Sequence, residues 1–300
     1  MADAWTPING VYTATAPLFP WVASLPSLDA GVWGSTLISA GVGAGVGAWM
    51  AGRIARNAKL RDELLAEFRS IDVAITLCIS VSDVAGGMKK QYVSGFLQKY
   101  ESDRRRYEAY KAAPSPKAPF SLRIDQLNLQ TFAPPVSELQ ELVLKNIRLS
   151  PNGVKSLVAL VDAVGNLNWI IGGYNSLVEK FLHGGLPPGF TPEDYYLEIP
   201  VGGVVNTQYG TSVRGIASYT DDVLFFADKL VDCLTHQGVK VRNRYEKLSG
   251  EKYLVRKANT AKGNEGLIPT DADYAEWMAG WEPDFSEAIK KPRWWHRKQK

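Results

Sequence analysis

The first 52 residues contain no lysine, arginine or glutamate, and Asp3 and Asp29 are their only charges. All 34 basic residues therefore lie from Arg53 onward. Cysteine is nearly absent. Cys78 and Cys233 stand alone, which excludes a disulfide framework and any paired-cysteine zinc site; buried, reduced thiols of a cytosolic domain are expected. Histidine is scarce too: His183, His236 and His296 form no HExxH-like spacing. The remaining composition is ordinary for a globular chain, with 45% hydrophobic residues, 22% charged residues and a net charge of +3. A chain of 300 residues makes one large domain or two small ones.

The uncharged stretch GVWGSTLISAGVGAGVGAWMAGR, Gly31 to Arg53, admits three readings. A Walker loop needs a lysine after its last glycine, and none is present. The dinucleotide fingerprint fails because Val46 and Met50 stand where a third glycine is required. A cleaved signal needs an early positive region, whereas this chain opens MADAW. A membrane span fits. Ala30 to Gly52 is 23 residues without a charge, about 34 Å of helix against a hydrocarbon core of about 30 Å. Trp33 and Trp49 sit near its ends, and Arg53, Arg56, Lys59 and Arg61 follow at once. The positive-inside rule places the C-terminal side in the cytoplasm and residues 1–29 outside.

Gly41 with Gly45, and Gly43 with Gly47, are GxxxG pairs, and Ala44 and Ala48 repeat a small residue at that spacing. Small side chains let helix backbones approach in lipid, so these six positions are the candidate oligomerisation or pore face. The uncharged segment before the span carries Pro7, Pro17, Pro20 and Pro26; proline breaks helices, so a second span is not expected.

The expected fold is mostly α, with the span continuing into a long-helix, bundle-like cytosolic domain. Residues 53–112 read as a helical stalk or hairpin. Leu64, Phe68, Ile71, Ile75, Cys78, Val81, Ala85, Met88, Tyr92 and Phe96 form an apolar stripe, either of coiled-coil type or the core of a helix pair. Gly86-Gly87 marks a bend, a break or a close helix contact. Residues 113–300 form the rest of the domain. Phe120 to Phe132 alternates at first, which suggests a short strand or irregular structure. Val136 to Ile147 reads as a short helix. Ser150-Pro151 starts a helix running to about Leu182 and stopped by His183-Gly184-Gly185. Leu186 to Pro200 reads as a connection, Asn206 or Thr207 to Leu248 as a long helix, and Leu267 to Trp281 as one more.

No catalytic constellation is evident, and neither a cofactor nor a metal is expected. Asp221-Asp222 with Asp228 reads as a solvated helix face, and Cys233 with His236 as chance neighbours on one helix. If the chain were an enzyme, Asp222, Cys233 or His236 would have to line a deep pocket. The basic and aromatic groups say more. Arg104-Arg105-Arg106 is flanked by Tyr100, Tyr107 and Tyr110. Lys240, Arg242, Arg244 and Lys247 surround Tyr245. The tail KKPRWWHRKQK has six basic residues, with Arg293, Trp294, Trp295 and Arg297 at its centre. Cations neutralise phosphates and rings stack on bases. The tail equally suits an anionic membrane surface or a solvated terminus.

The block IDVAITLCISVSDVAGGMKKQYVSGFLQKY, Ile71 to Tyr100, just after a glycine-rich span, resembles a loose group of bacterial single-pass membrane proteins with helical cytosolic regions. Some proteins of this layout are effectors of anti-phage defence, and the membrane effectors of Hailong-type systems are similar in layout. In those systems a partner nucleotidyltransferase makes a DNA oligomer that controls a membrane channel. The resemblance implies a homo-oligomeric inner-membrane effector controlled through its cytosolic domain by a nucleic-acid or nucleotide ligand from a partner enzyme. A passive tether that docks a protein partner is the alternative.

Overall fold

A computed structural model describes residues 5–8, 11–14, 30–114, 119–254 and 266–279, with side chains from residue 48 onward. The chain is mostly helical and divides into two units, residues 1–60 and 61–300.

In the first unit, β1 (Trp5–Ile8) pairs antiparallel with β2 (Val11–Ala14), Trp5 opposite Ala14 and Ile8 opposite Val11. This hairpin lies in the segment read only as proline-broken. Helix α1 (Ala30–Met88) spans 59 residues and covers the whole uncharged stretch. Of the six small positions only Ala48 has a described side chain, and it is exposed; the side chains of Gly41, Gly43, Ala44, Gly45 and Gly47 lie outside the described residues. Where side chains resume, the helix is bare. Trp49, Met50 and Ile54 are 55%, 54% and 67% exposed, and the Arg53 guanidinium lies over the Trp49 ring at 5.6 Å.

In the second unit, Leu64, Phe68, Ile71, Ile75, Cys78, Val81 and Ala85 are buried as a core stripe. A π-helical turn, Lys89–Val93, then joins α1 to α2 (Ser94–Ala112). Residues 53–112 therefore contain no hairpin. A π turn inserts an extra residue and shifts the helix face. Tyr92, expected in the stripe, is half exposed, and Val93 is buried in its place. Gly86-Gly87 is neither a break nor a close contact. A Cβ at Gly87 would meet nothing, and one at Gly86 would touch only Leu267.

Helices α4 (Pro151–His183) and α6 (Gln208–Ser249) form the axis of the domain. They run antiparallel: Gly153 lies against Cys233, Gly215 against Ile170, and the Phe181 and Tyr209 rings stack at 6.0 Å. The limits of α4 follow local chemistry. Ser150 Oγ accepts from the Gly153 amide at 3.3 Å, and Gly184 closes the helix at φ 69°. Among the described residues α4 is the one helix long and apolar enough to cross a membrane. Its apolar face, from Leu157 to Phe181, is buried within the domain.

Phe120 to Phe132 is irregular and forms no strand. Its backbone is held by side chains of α4. Asn175 pairs with both the N–H and C=O of Leu129, and Asn168 does the same at Phe132, each bond 2.8 Å. Helix α3 (Val136–Asn146) follows as expected. The connection after α4 holds an unexpected helix, α5 (Pro192–Leu197), set by a Thr191–Asp194 capping box.

Beyond α6, only Ala275–Ala279, α7, is helical among the described residues of the expected last helix. The segment before it straps across α6. Tyr274 stacks on Phe225 at 3.8 Å and donates to Asp222 at 2.6 Å. Trp277 packs on Phe226, and Lys229 pairs with Asp271 at 2.7 Å.

Asn175→Ala should leave the half-buried N–H and C=O of Leu129 without their partner and cost about 1 kcal/mol. The check is thermal denaturation together with hydrogen exchange at Leu129. We expect a lower Tm and faster exchange at that amide.

Candidate functional site

The principal polar cluster of the second unit lies where α2, α5 and the first turns of α6 meet. Spacing along α2 puts Tyr100, Asp103 and Arg104 on one face. Helix α5 supplies Tyr196 and ends at Glu198, whose φ of 57° makes it the one non-glycine residue in the left-handed region among the described residues. Helix α6 supplies Tyr209, Gly210 and Arg214.

Two carboxylates anchor the cluster. Glu198, one-tenth exposed, accepts from Tyr100 Oη at 2.8 Å, and pairs with Arg104 at 2.8 Å and Arg214 at 3.3 Å. Asp103 accepts from Tyr196 Oη, Lys99 and Arg106, each at 2.9 Å. The rings close the space between them, Tyr100 edge-on to Tyr196 at 5.6 Å and Tyr196 against Tyr209 at 4.8 Å. Gly210 is needed here, because a Cβ would overlap the Tyr100 hydroxyl and the Glu198 carboxylate.

The electrostatics follow the packing. Burial, then the bond to Glu198, raises the Tyr100 phenol; burial and Asp103 raise that of Tyr196. Burial pushes Tyr174 up to about 12. For Asp103 burial acts upward, but hydrogen bonds from Lys99 and Tyr196 and the charges of Lys99 and Arg106 outweigh it, and the carboxyl lies below its usual range. For Arg214 burial acts downward, and Tyr100 and Glu198 reverse it. Outside the pair of carboxylates, an open cavity of about 530 Å³ is lined by Tyr100, Glu101, Arg104, Arg105, Glu108 and Arg214.

The arginine triplet is thus divided. Arg104 turns to Glu198, Arg106 to Asp103, and Arg105 bonds the Glu101 carbonyl at 3.3 Å. The flanking rings are not a base-stacking platform: Tyr100 is buried, and Tyr107 and Tyr110 both pack on Phe120. The second basic group also loses its aromatic centre. Tyr245 is buried, bonded to Glu251 and edge-on to Tyr253, and Arg242 faces Asn243 and Glu246, while Lys240 and Arg244 are exposed. Arg293, Trp294, Trp295 and Arg297 lie outside the described residues.

The acidic trio is not a solvated face. Asp221 pairs with Lys89 at 2.7 Å, and Asp222 accepts from Tyr274. Burial raises both Asp222 and Asp228. The Cys233 thiol is raised by burial and Asp232, which disfavours a thiolate, and His236 is exposed. No group of three His, Cys, Asp or Glu side chains among the described residues is arranged to hold a metal.

No protein-family model, curated protein or solved structure matches the chain. The role of the cluster is therefore read from its own chemistry. Two or more guanidinium groups around one carboxylate, beside an open cavity, can exchange an internal anion for an external one.

The residue types pointed to this cluster only in part. Arg104 and Arg105 are visible as basic residues; Glu198 and Arg214 are distant in the chain, and no local pattern joins them to α2. The Thr191-Pro192-Glu193-Asp194 capping signal would have revealed α5 and drawn notice to its end.

Because the folded Asp103 pKa is depressed, its contribution is present above the ordinary aspartate value of 3.8 and is lost as pH falls below it. Asp103→Asn should lower stability at neutral pH by about 1–3 kcal/mol and flatten the acid limb of the stability curve. Urea unfolding of both proteins from about pH 7 down to about pH 2, through and below the ordinary aspartate value, reads both effects.

Proposed function

We propose that the chain is a homo-oligomeric inner-membrane effector, either a ligand-gated channel or a membrane-disrupting protein of the anti-phage type, whose cytosolic helical domain controls its membrane span. It acts without catalysis. The observation that carries this reading is the uncovered apolar helix at the end of the uncharged stretch. Trp49 stands on one side of α1, and Met50 and Ile54, one turn apart, share a neighbouring face; all three are more than half exposed, and a Cβ at Gly52 would meet nothing. The stretch that leads to them, Ala30 to Gly52, carries no charge on any face, and a helix without a charged face is stable when lipid or other helices cover it. The basic run from Arg53 supports an orientation with residues 1–29 outside and the helical domain in the cytoplasm. Copies of Gly41, Gly43, Ala44, Gly45, Gly47 and Ala48 would form the contact between protomers.

A tether that docks a protein partner is the second reading, and one observation favours it. Trp169 is 73% exposed beside an open, uncharged cavity of about 840 Å³ that also touches Gly172, Gly173 and Thr207. A tether predicts no change in membrane potential.

Gly43→Leu with Gly47→Leu adds bulk at the helix contact while keeping the span apolar. Cross-linking in membranes should shift from higher oligomers towards monomer, and any toxicity on expression should fall with it. Unchanged oligomers and toxicity would remove the packing role of these glycines.

A further inference from the structure

We propose that Arg104, Arg105 and Arg214 form a seat for a phosphate-bearing ligand, and that the Glu198 carboxylate occupies this seat in the ligand-free chain. The inference rests on the reading that a ligand controls the helical domain.

Three observations combine. First, the Glu198 carboxylate is held as a bound anion would be, with Arg104 on Oε2, and Arg214 and the Tyr100 hydroxyl on Oε1. Second, Glu198 keeps a left-handed backbone that glycine would adopt with less strain. The side chain is retained there against the backbone preference, and what it contributes is its carboxylate. Third, the two guanidinium groups line the open cavity of about 530 Å³ together with Arg105, which is in no ion pair among the described residues. Glu198 thus satisfies the inner side of the seat while the outer side faces solvent.

Arginine forks match both carboxylate and phosphate oxygens. A phosphate carries more charge than one carboxylate and offers three oxygens to three guanidinium groups. Of the two carboxylates at the rim, Glu108 is paired with Lys111 at 3.3 Å, and the preference for phosphate over chloride or acetate comes from the three guanidinium groups, whose forks match its oxygens. Occupation would release Glu198 from α2 and α6 together, since its bonds to Tyr100, Arg104 and Arg214 are the ties it makes to those helices. Gly210, packed against the same atoms, would be freed as well.

The test is calorimetric titration of the full chain in detergent, at constant ionic strength, with inorganic pyrophosphate and separately with a short single-stranded oligodeoxynucleotide. Arg104→Gln and Arg214→Gln should each weaken binding about tenfold or more. Glu198→Gln should tighten it about tenfold, because the amide accepts from Tyr100 but no longer competes as an anion. A tightened complex cannot come from a misfolded variant. This pattern with pyrophosphate assigns a small phosphorylated ligand; the same pattern with the oligonucleotide alone assigns a strand. No binding of either probe, binding indifferent to Arg214→Gln, or binding weakened by Glu198→Gln would overturn the proposal. Binding with the expected pattern in a protein that leaves the membrane potential unchanged would keep the seat and remove the membrane-effector reading.

Discussion

The antiparallel packing of α4 on α6 is the contact on which the helical domain depends. It runs from Gly153 against Cys233 at one end to Phe181 on Tyr209 at the other. Each large apolar side chain it buries contributes about 1.5–3 kcal/mol, and each neighbouring element docks on one of the two helices. The irregular segment before α3 is held by Asn168 and Asn175 of α4. Tyr274, before α7, and Trp277 of α7 lie on Phe225 and Phe226 of α6. The aromatic cluster at Tyr209 is a direct extension of the same interface, and it sets the positions of Tyr100 and Tyr196.

Buried charge is arranged on this apolar frame in a consistent way. Carboxylates that leave water are met by donors: Glu198 has three, Asp103 has three, and Asp222 has one, Tyr274. An unpaired buried charge would be far more costly than any of these bonds is favourable. The Glu198 and Asp103 bonds join elements distant in the chain, α2 to α5 and α6, so they fix how the helices meet. The apolar interface supplies stability, and the polar cluster sets the geometry at which the helices meet.

Helix ends and the buried stripe were legible in the residues because their causes are local. Ser150-Pro151 and Gly184 bound α4, Gly250 ends α6 at φ 76°, and Leu64 to Ala85 follow helical spacing into the core. The π turn was not legible. It depends on Val93 finding the core and on Lys89 reaching both the Leu267 carbonyl and Asp221, contacts made across more than a hundred residues. Of the two readings for Phe120 to Phe132 the irregular one holds: its backbone partners are two asparagine side chains on α4, and among the described residues no strand lies beside it to complete the alternation. The basic groups were visible as charge, but their division among Glu198, Asp103 and solvent is a property of the packing. Among the described rings beside them, Tyr100 and Tyr245 are buried, and Tyr107 and Tyr110 are half-buried against Phe120.

The proposed membrane role rests on the exposed apolar side chains Trp49, Met50 and Ile54 at the end of the uncharged stretch, among which Arg53 begins the basic run. The most direct measurement is membrane potential in bacteria expressing either the full chain or the chain lacking residues 30–52. The account predicts depolarisation by the full chain and none by the shortened one. Equal polarisation in both, or equal depolarisation by both, would contradict it.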